Sequence, residues 1–215
     1  MRETSQFSWL KVQAQNIGFP IFSSSVAFSF SSTFPENVDA IGVDVMRLED
    51  KRFSSAEKIQ EFFRLMTRQF TAEEWMQITE STCELNAQLA HFFRFWTLKE
   101  SFVKGHGHGL GWNLQRLSFK VNVQKSLEMG RISDNSRLYL DGELAKQWHF
   151  AETLLDAQHC VCTATKGLKG LSSSNKAHFS LVTPQKILDS LEPLDAISDK
   201  NEFSDFLNQI EVKPF

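Results

Sequence analysis

The chain has 215 residues and a mass of 24.6 kDa, enough for one domain with a real core or for two small ones. Its 23 Lys+Arg against 26 Asp+Glu leave a formal charge of -3, which argues against a domain built to coat nucleic acid. The longest apolar runs fall far short of the ~20 residues of a membrane helix, and the three sparse cysteines, Cys83, Cys160 and Cys162, give no disulfide framework and suit a reducing, cytosolic compartment.

In chain order, residues 1–38 differ from the rest: Phe and Ser dominate and charges are few. Part of this stretch alternates apolar and polar, a weak strand pattern. Lys11 and the scattered serines interrupt any secretory h-region, and the Arg-rich pattern of a mitochondrial presequence is missing. Ala40–Met46 is a short apolar run carrying one acid, Asp44, and reads as a strand. Ser54 or Ser55 caps a helix that the spacing of Ile59, Phe62, Phe63, Met66 and Phe70 carries forward. Thr71 and Glu74 form a capping box that opens a second helix. A longer helix is expected from about Glu84 to Lys104, stopped by the Gly-rich run from Gly105 to Gly111. Leu117–Val123, Leu138–Leu140 before an Asp141-Gly142 turn, Trp148–Phe150 and His159–Ala164 read as strands of an antiparallel sheet. Residues 166–176 read as a linker, and a tail with one strand and a helix opening at Thr183-Pro184 follows.

The helix through Phe92–Lys104 is apolar over most of its circumference, so it is central rather than superficial. Charges on such a helix need a partner or a polar site. Glu100 and Lys104 have the spacing of an i,i+4 surface pair worth ~0.3–0.5 kcal/mol. The sharper reading joins Glu100 to Asp44, which shares a strand face with Gly42 and Met46. Two carboxylates from a strand and a helix suit Mg²⁺, which takes few protein ligands together with water and phosphate. Lys99 or Lys104 would meet the phosphate charge. His106 and His108 have a ligand-like spacing, but they lie in a loop that ends a helix. Cys160 and Cys162 share a strand face and read as small core residues. The Phe62–Phe63–Met66 stripe reads mainly as core, with Arg64 or Arg68 marking part of it as a candidate docking surface.

Gly42-Val43-Asp44-Val45 followed by Trp96-Thr97-Leu98-Lys99-Glu100-Ser101-Phe102-Val103-Lys104 resembles the 4′-phosphopantetheinyl transferase superfamily, marked by G-[IV]-D-[IVL] and W-x-x-K-E-[AS]-x-x-K. Phe53 to Phe70, Phe93–Lys104, Gly109-Leu110-Gly111 and Leu114–Leu117 resemble the eukaryotic branch of transferases that act on aminoadipate-semialdehyde dehydrogenase. The likeness runs from about Asp39 to Thr165. It implies an α+β fold, one half of a two-subdomain molecule, with a long central helix on a small antiparallel sheet. It implies three segments: 1–38 outside the family pattern, 39–165 the transferase domain, and 166–215 linker and tail. It further implies transfer of phosphopantetheine from coenzyme A to a serine of apo acyl-carrier or peptidyl-carrier domains.

By that resemblance Asp44 and Glu100 bind Mg²⁺, Glu100 also serves as or positions the base, and Glu100 and Lys104 contact coenzyme A. Lys99 stands in the motif without a settled role. Met46 stands where the surfactin-type branch has a further acid. The N-[IV]-S-H segment that precedes the first motif in relatives has no counterpart here, since Phe28-Ser29-Phe30-Ser31-Ser32 occupies the place. The expectation is a second half behind a replacement start: either a working transferase, or an impaired isoform keeping metal and carrier surfaces. Neither a nucleic acid nor a membrane is expected as partner, and an exposed half-domain face is expected to self-associate.

Overall fold

The computed structural model describes residues 39–49, 51–107 and 111–167. The Phe/Ser-rich start, His108, and the linker and tail beyond Gly167 lie outside the described residues, so the readings placed there are not taken further.

Among the described residues, two small antiparallel sheets and three α-helices make an α+β fold. The first sheet has the order β1 (Ala40–Arg47), β6 (His159–Lys166), β5 (Trp148–Leu154). Gly42, Asp44 and Met46 of β1 lie opposite Ala164, Cys162 and Cys160 of β6, and these in turn lie opposite Phe150, Glu152 and Leu154 of β5. Because side chains alternate across a strand, these residues share one sheet face. That face carries α3 (Leu85–His106). Val43, Val45 and Val161 form a second, smaller apolar cluster, and alternation puts it on the opposite face.

The approach of α3 to the sheet is unusually close. Thr97, Ser101 and Gly105 recur every fourth residue and so form one stripe of small side chains along the helix. Ser101 Oγ lies 3.3 Å from Cys162 Sγ, and Thr97 Oγ1 lies 3.3 Å from Cys160 Sγ. A Cβ on Gly42 would fall on the Ser101 carbonyl oxygen and the Gly105 amide nitrogen, both backbone atoms of α3. A Cβ on Gly105 would in turn lie 2.9 Å from the Gly42 nitrogen. Small residues on both sides of the contact let the backbones touch.

The opposite side of α3 is covered by α1 (Ala56–Met66) and α2 (Ala72–Thr79) through an aromatic cluster. Phe92 meets Phe62 at 4.8 Å and Phe70 at 5.0 Å between ring centroids, and stacks on Trp96 at 6.2 Å. Trp75 meets Phe63 and Phe70 edge-on, each at 5.4 Å. Edge and offset contacts of this kind add to plain burial. The helix expected to run through Phe70 stops at Met66. A 3₁₀ turn over Thr67–Gln69 follows, and Phe70 is extended. Thr71 and Glu74 do form the capping box of α2.

The second sheet has the order β2 (Leu117–Lys120), β3 (Arg137–Leu140), β4 (Glu143–Leu144). The hairpin turns on Asp141 and Gly142, both at positive φ (52° and 85°), the pair of signs a type I′ turn requires. The alternation that marked Leu117–Val123 as one strand yields β2 only to Lys120. Beyond it, α2 supplies the partners: Val121 N donates to Gln77 Oε1 at 2.9 Å, and Gln77 Nε2 donates to the Phe119 carbonyl at 2.9 Å. Side chains of α2 thus cover the strand edge that β3 leaves open.

Gly42→Ala is expected to cost more than the ~1–3 kcal/mol of ordinary overpacking, because backbone rather than a movable side chain blocks the Cβ. Gly111→Ala, with open space around it, should stay within ~0.5 kcal/mol of the parent. Urea denaturation of both variants checks this. A Gly42→Ala midpoint equal to that of Gly111→Ala would show that the strand and helix can separate without penalty.

Candidate functional site

Asp44 points from β1 toward α3 because it shares the face of Gly42. It is 5% exposed, and its Oδ1 accepts a hydrogen bond of 2.6 Å from Lys104 Nζ. Its Oδ2 is buried without a hydrogen-bond partner. An unpartnered carboxylate oxygen in a buried place is costly, and a cation would satisfy it.

Glu100 lies one turn before Lys104 on α3 and is half-buried. Burial pushes its carboxyl up to about 7, the negative charge of Asp44 pushes the same way, and Lys104 opposes both. Burial pushes Asp44 up to about 6 against the pull of Lys104. The three groups therefore feel one another directly, two from the helix and one from the strand. Lys104 reaches across to β1, so the reading of Lys104 as a surface partner of Glu100 gives way to a strand–helix contact.

Among the described residues no group of three or more His, Cys, Asp or Glu side chains converges as a metal cage. The donor set at Asp44 and Glu100 is two hard carboxylates beside one ammonium. That chemistry fits Mg²⁺, which keeps waters and needs few protein ligands, and it does not fit zinc. Met46 is buried in the core and offers no ligand. Cys160 and Cys162 are buried too. Burial pushes the Cys160 thiol up to about 12 and raises Cys162 as well, so both are unreactive core residues.

Lys99, adjacent to Glu100, points elsewhere. It is 0% exposed, and its three donors are all engaged. Glu74 Oε2 lies at 2.7 Å, the Gln69 carbonyl at 2.9 Å and the Leu114 carbonyl at 2.8 Å. The ammonium also sits 4.8 Å from the centre of the Phe70 ring. Of the two lysines read as phosphate partners, only Lys104 stands at Asp44. The sequence flagged Lys99 as a charge in need of an explanation, but Glu74 was legible only as a capping residue. A second buried pair went unnoticed. Arg94 Nε donates to Glu152 Oε2 at 2.7 Å, Ser136 Oγ donates to Glu152 Oε1 at 2.5 Å, and Arg94 Nη1 donates to the Lys125 carbonyl at 3.2 Å.

On the α1 side, Met66 is core and Phe62 and Phe63 are partly buried, while Arg64, Leu65 and Arg68 are exposed. A cavity of about 280 Å³ lies beside them, lined by Arg52, Phe53, Lys58, Glu61, Phe62, Leu65 and Phe93. Phe93 precedes Glu100 by seven residues, two helical turns, and so lies on the same side of α3. His106 packs against Trp112 at 4.4 Å between ring centroids. No helix of the described residues is long and apolar enough to cross a membrane.

Comparison with known proteins gives a consistent picture. The profile of the 4′-phosphopantetheinyl transferase superfamily matches residues 40–164. A Xenopus laevis protein named L-aminoadipate-semialdehyde dehydrogenase-phosphopantetheinyl transferase is 41% identical over 148 residues, which covers 68% of this chain and 47% of the relative. The Homo sapiens protein of the same name is 41% identical over 126 residues, covering 59% and 39%. A phosphopantetheinyl transferase of Thraustochytrium sp. is 34% identical over 131 residues, covering 59% and 42%. The chain spans about half the length of the curated relatives it matches.

The raised carboxyls predict a pH effect. Both groups bind protons more tightly folded than unfolded, Asp44 at about 6 against 3.8 and Glu100 at about 7 against 4.5. Their contribution is most favourable below the unfolded values and is lost as pH rises through the folded ones. A divalent cation competes with those protons, so Mg²⁺ should stabilise the chain little at about pH 5 and clearly at about pH 7.5. Denaturation midpoints with and without Mg²⁺, taken relative to the Asp44→Asn/Glu100→Gln variant, test this. An equal Mg²⁺ effect in parent and variant would remove the cation from this site.

Proposed function

Because the chain belongs to the 4′-phosphopantetheinyl transferase superfamily, we propose that its Asp44, Glu100 and Lys104 serve transfer of phosphopantetheine from coenzyme A to a carrier serine. The observation that carries this reading is the Lys104–Asp44 ion pair at a backbone-tight contact, with Glu100 one helical turn away and within reach of the Asp44 charge.

In the reaction the serine oxygen forms a bond to the phosphorus next to pantetheine. The bond from that phosphorus to the oxygen bridging the pyrophosphate breaks, and the adenosine bisphosphate leaves. Mg²⁺, held by Asp44 and Glu100, would supply positive charge to the pyrophosphate oxygens. Glu100 accepts the serine proton. Burial and the Asp44 charge raise its basicity, and a Mg²⁺ beside it would lower that basicity again. Lys104 adds a fixed positive charge from the next helical turn and suits the pyrophosphate. Lys99 touches no reacting group in this scheme. The exposed Arg64, Leu65 and Arg68, with the neighbouring cavity on the Glu100 side of α3, suit an acidic carrier domain that presents its serine at Glu100.

The test incubates the chain with coenzyme A, Mg²⁺ and an apo carrier, and reads the mass of the carrier. The parent is expected to load it. Glu100→Gln should lose about 10²–10⁴-fold in rate. Lys104→Ala should chiefly raise the coenzyme A requirement. A chain that never loads the carrier, or a Glu100→Gln variant at parental rate, would overturn the assignment.

A further inference from the structure

Beyond the three groups at the site, we propose that Lys99 and Glu74 are positioning residues that set the rotation of α3, and with it the place of Glu100 and Lys104. This rests on the metal reading of Asp44 and Glu100. The argument begins with cost. Two fully buried charges are an expensive way to hold a helix that apolar packing already holds, and replacing such a pair by neutral groups is often neutral for stability. What a buried pair adds is direction.

Here the direction is fully specified. The Lys99 ammonium has three acceptors at 2.7–2.9 Å, and they come from three segments: the 3₁₀ turn before α2, the start of α2 and the 3₁₀ turn at Leu114. Glu74 is fixed just as tightly. Its Oε2 also accepts from Thr71 N at 2.9 Å, and its Oε1 accepts from Phe119 N at 3.0 Å, the first residue pair of the capping box and a residue of β2. No partner of either charge is free to turn.

The other directed tie of α3, Arg94 to Glu152 of β5, lies six residues before Glu100 and so holds a more distant part of the helix. Apart from that tie and the Lys104–Asp44 bond, the sheet side meets α3 with small side chains and the α1 and α2 side with aromatic rings, and such packing is not directional to a few degrees. A side chain about 5 Å from the helix axis moves about 1 Å when the helix turns by about 10°. A shift of that size is enough to spoil shared binding of a cation by Asp44 of β1 and Glu100 of α3, and outer-sphere partners of metal ligands typically matter 10–100-fold in affinity. Lys99 directly precedes Glu100, so it fixes the helix within one residue of the carboxylate it serves.

The experiment uses the full chain and Mn²⁺ as the probe, read by loss of the free-ion electron paramagnetic resonance signal. Lys99→Met and Glu74→Gln singly should each lower the melting temperature, since each leaves a buried partner stranded. Lys99→Met/Glu74→Gln should recover most of that melting temperature, because both charges are gone. The proposal requires that this refolded double variant still binds Mn²⁺ at least tenfold more weakly than the parent. A double variant with parental stability and parental Mn²⁺ affinity would overturn it and leave the pair purely structural. If the double variant does not fold, Glu74→Gln alone decides: unchanged Mn²⁺ affinity below its melting point overturns the proposal. A parent that binds no Mn²⁺ overturns the metal reading itself, which the first comparison distinguishes.

Discussion

The close approach of α3 to β1 is the constraint on which the rest depends. Gly42 has no room for a Cβ, because the Ser101 carbonyl and the Gly105 amide occupy that space. Burial of the apolar faces drives helix and sheet together, but it does not say how near. The nearness comes from absent atoms: Gly42 and Gly105 at the crossing, Ser101 between them, Cys162 and Ala164 on the next strand. Side chains two residues along β1 and one turn along α3 then stand within reach of each other. Asp44 and Lys104 are joined at 2.6 Å by that geometry.

This gives each fixed position of the helical motif a physical task. Trp96 stacks on Phe92 in the aromatic layer. Lys99 is held by α2 and two 3₁₀ turns. Lys104 is bonded to Asp44, and Glu100 feels the Asp44 charge. Ser101 is small because the strand backbone passes next to it. Further back on the same helix, Arg94 and Glu152 join α3 to β5, with Ser136 completing the carboxylate's bonds. The two buried ion pairs thus fasten the helix to different layers, Lys99 on the α2 side and Arg94 on the sheet. Each is fully hydrogen-bonded, which is the condition under which buried charge is tolerated.

Much of this was legible in the sequence, for reasons that differ by element. β1, the capping box of α2 and the long α3 were read within one or two residues, since apolar runs and cap chemistry are local signals. The α+β class and the central place of α3 followed from an apolar surface running round most of the helix. What stayed hidden depends on partners distant in the chain. Apolar spacing continued α1 to Phe70, but Phe70 is extended and joins the ring cluster from outside a helix. Alternation continued β2 to Val123, whereas Gln77 takes over the Val121 amide from 44 residues away. Asp44, Glu100 and Lys104 were singled out by motif and by the expense of charge in apolar surroundings. Glu74 was seen only as a cap and Arg94 was not seen, because no spacing rule links residues of different elements.

The Lys104–Asp44 contact has a consequence for how ligands meet. The ammonium already compensates the buried carboxylate, so the fold does not wait for a metal ion to neutralise it. A cation would meet the unpartnered Oδ2, and the ammonium held on Oδ1 would repel it and weaken its binding. An anion that drew the ammonium toward itself would lower that cost. A cation and an anion meeting here would therefore be thermodynamically linked through one lysine, each raising the affinity for the other by the same factor. A lysine that looks like a lock on one carboxylate is, in these terms, the means by which a positive and a negative ligand would be coupled.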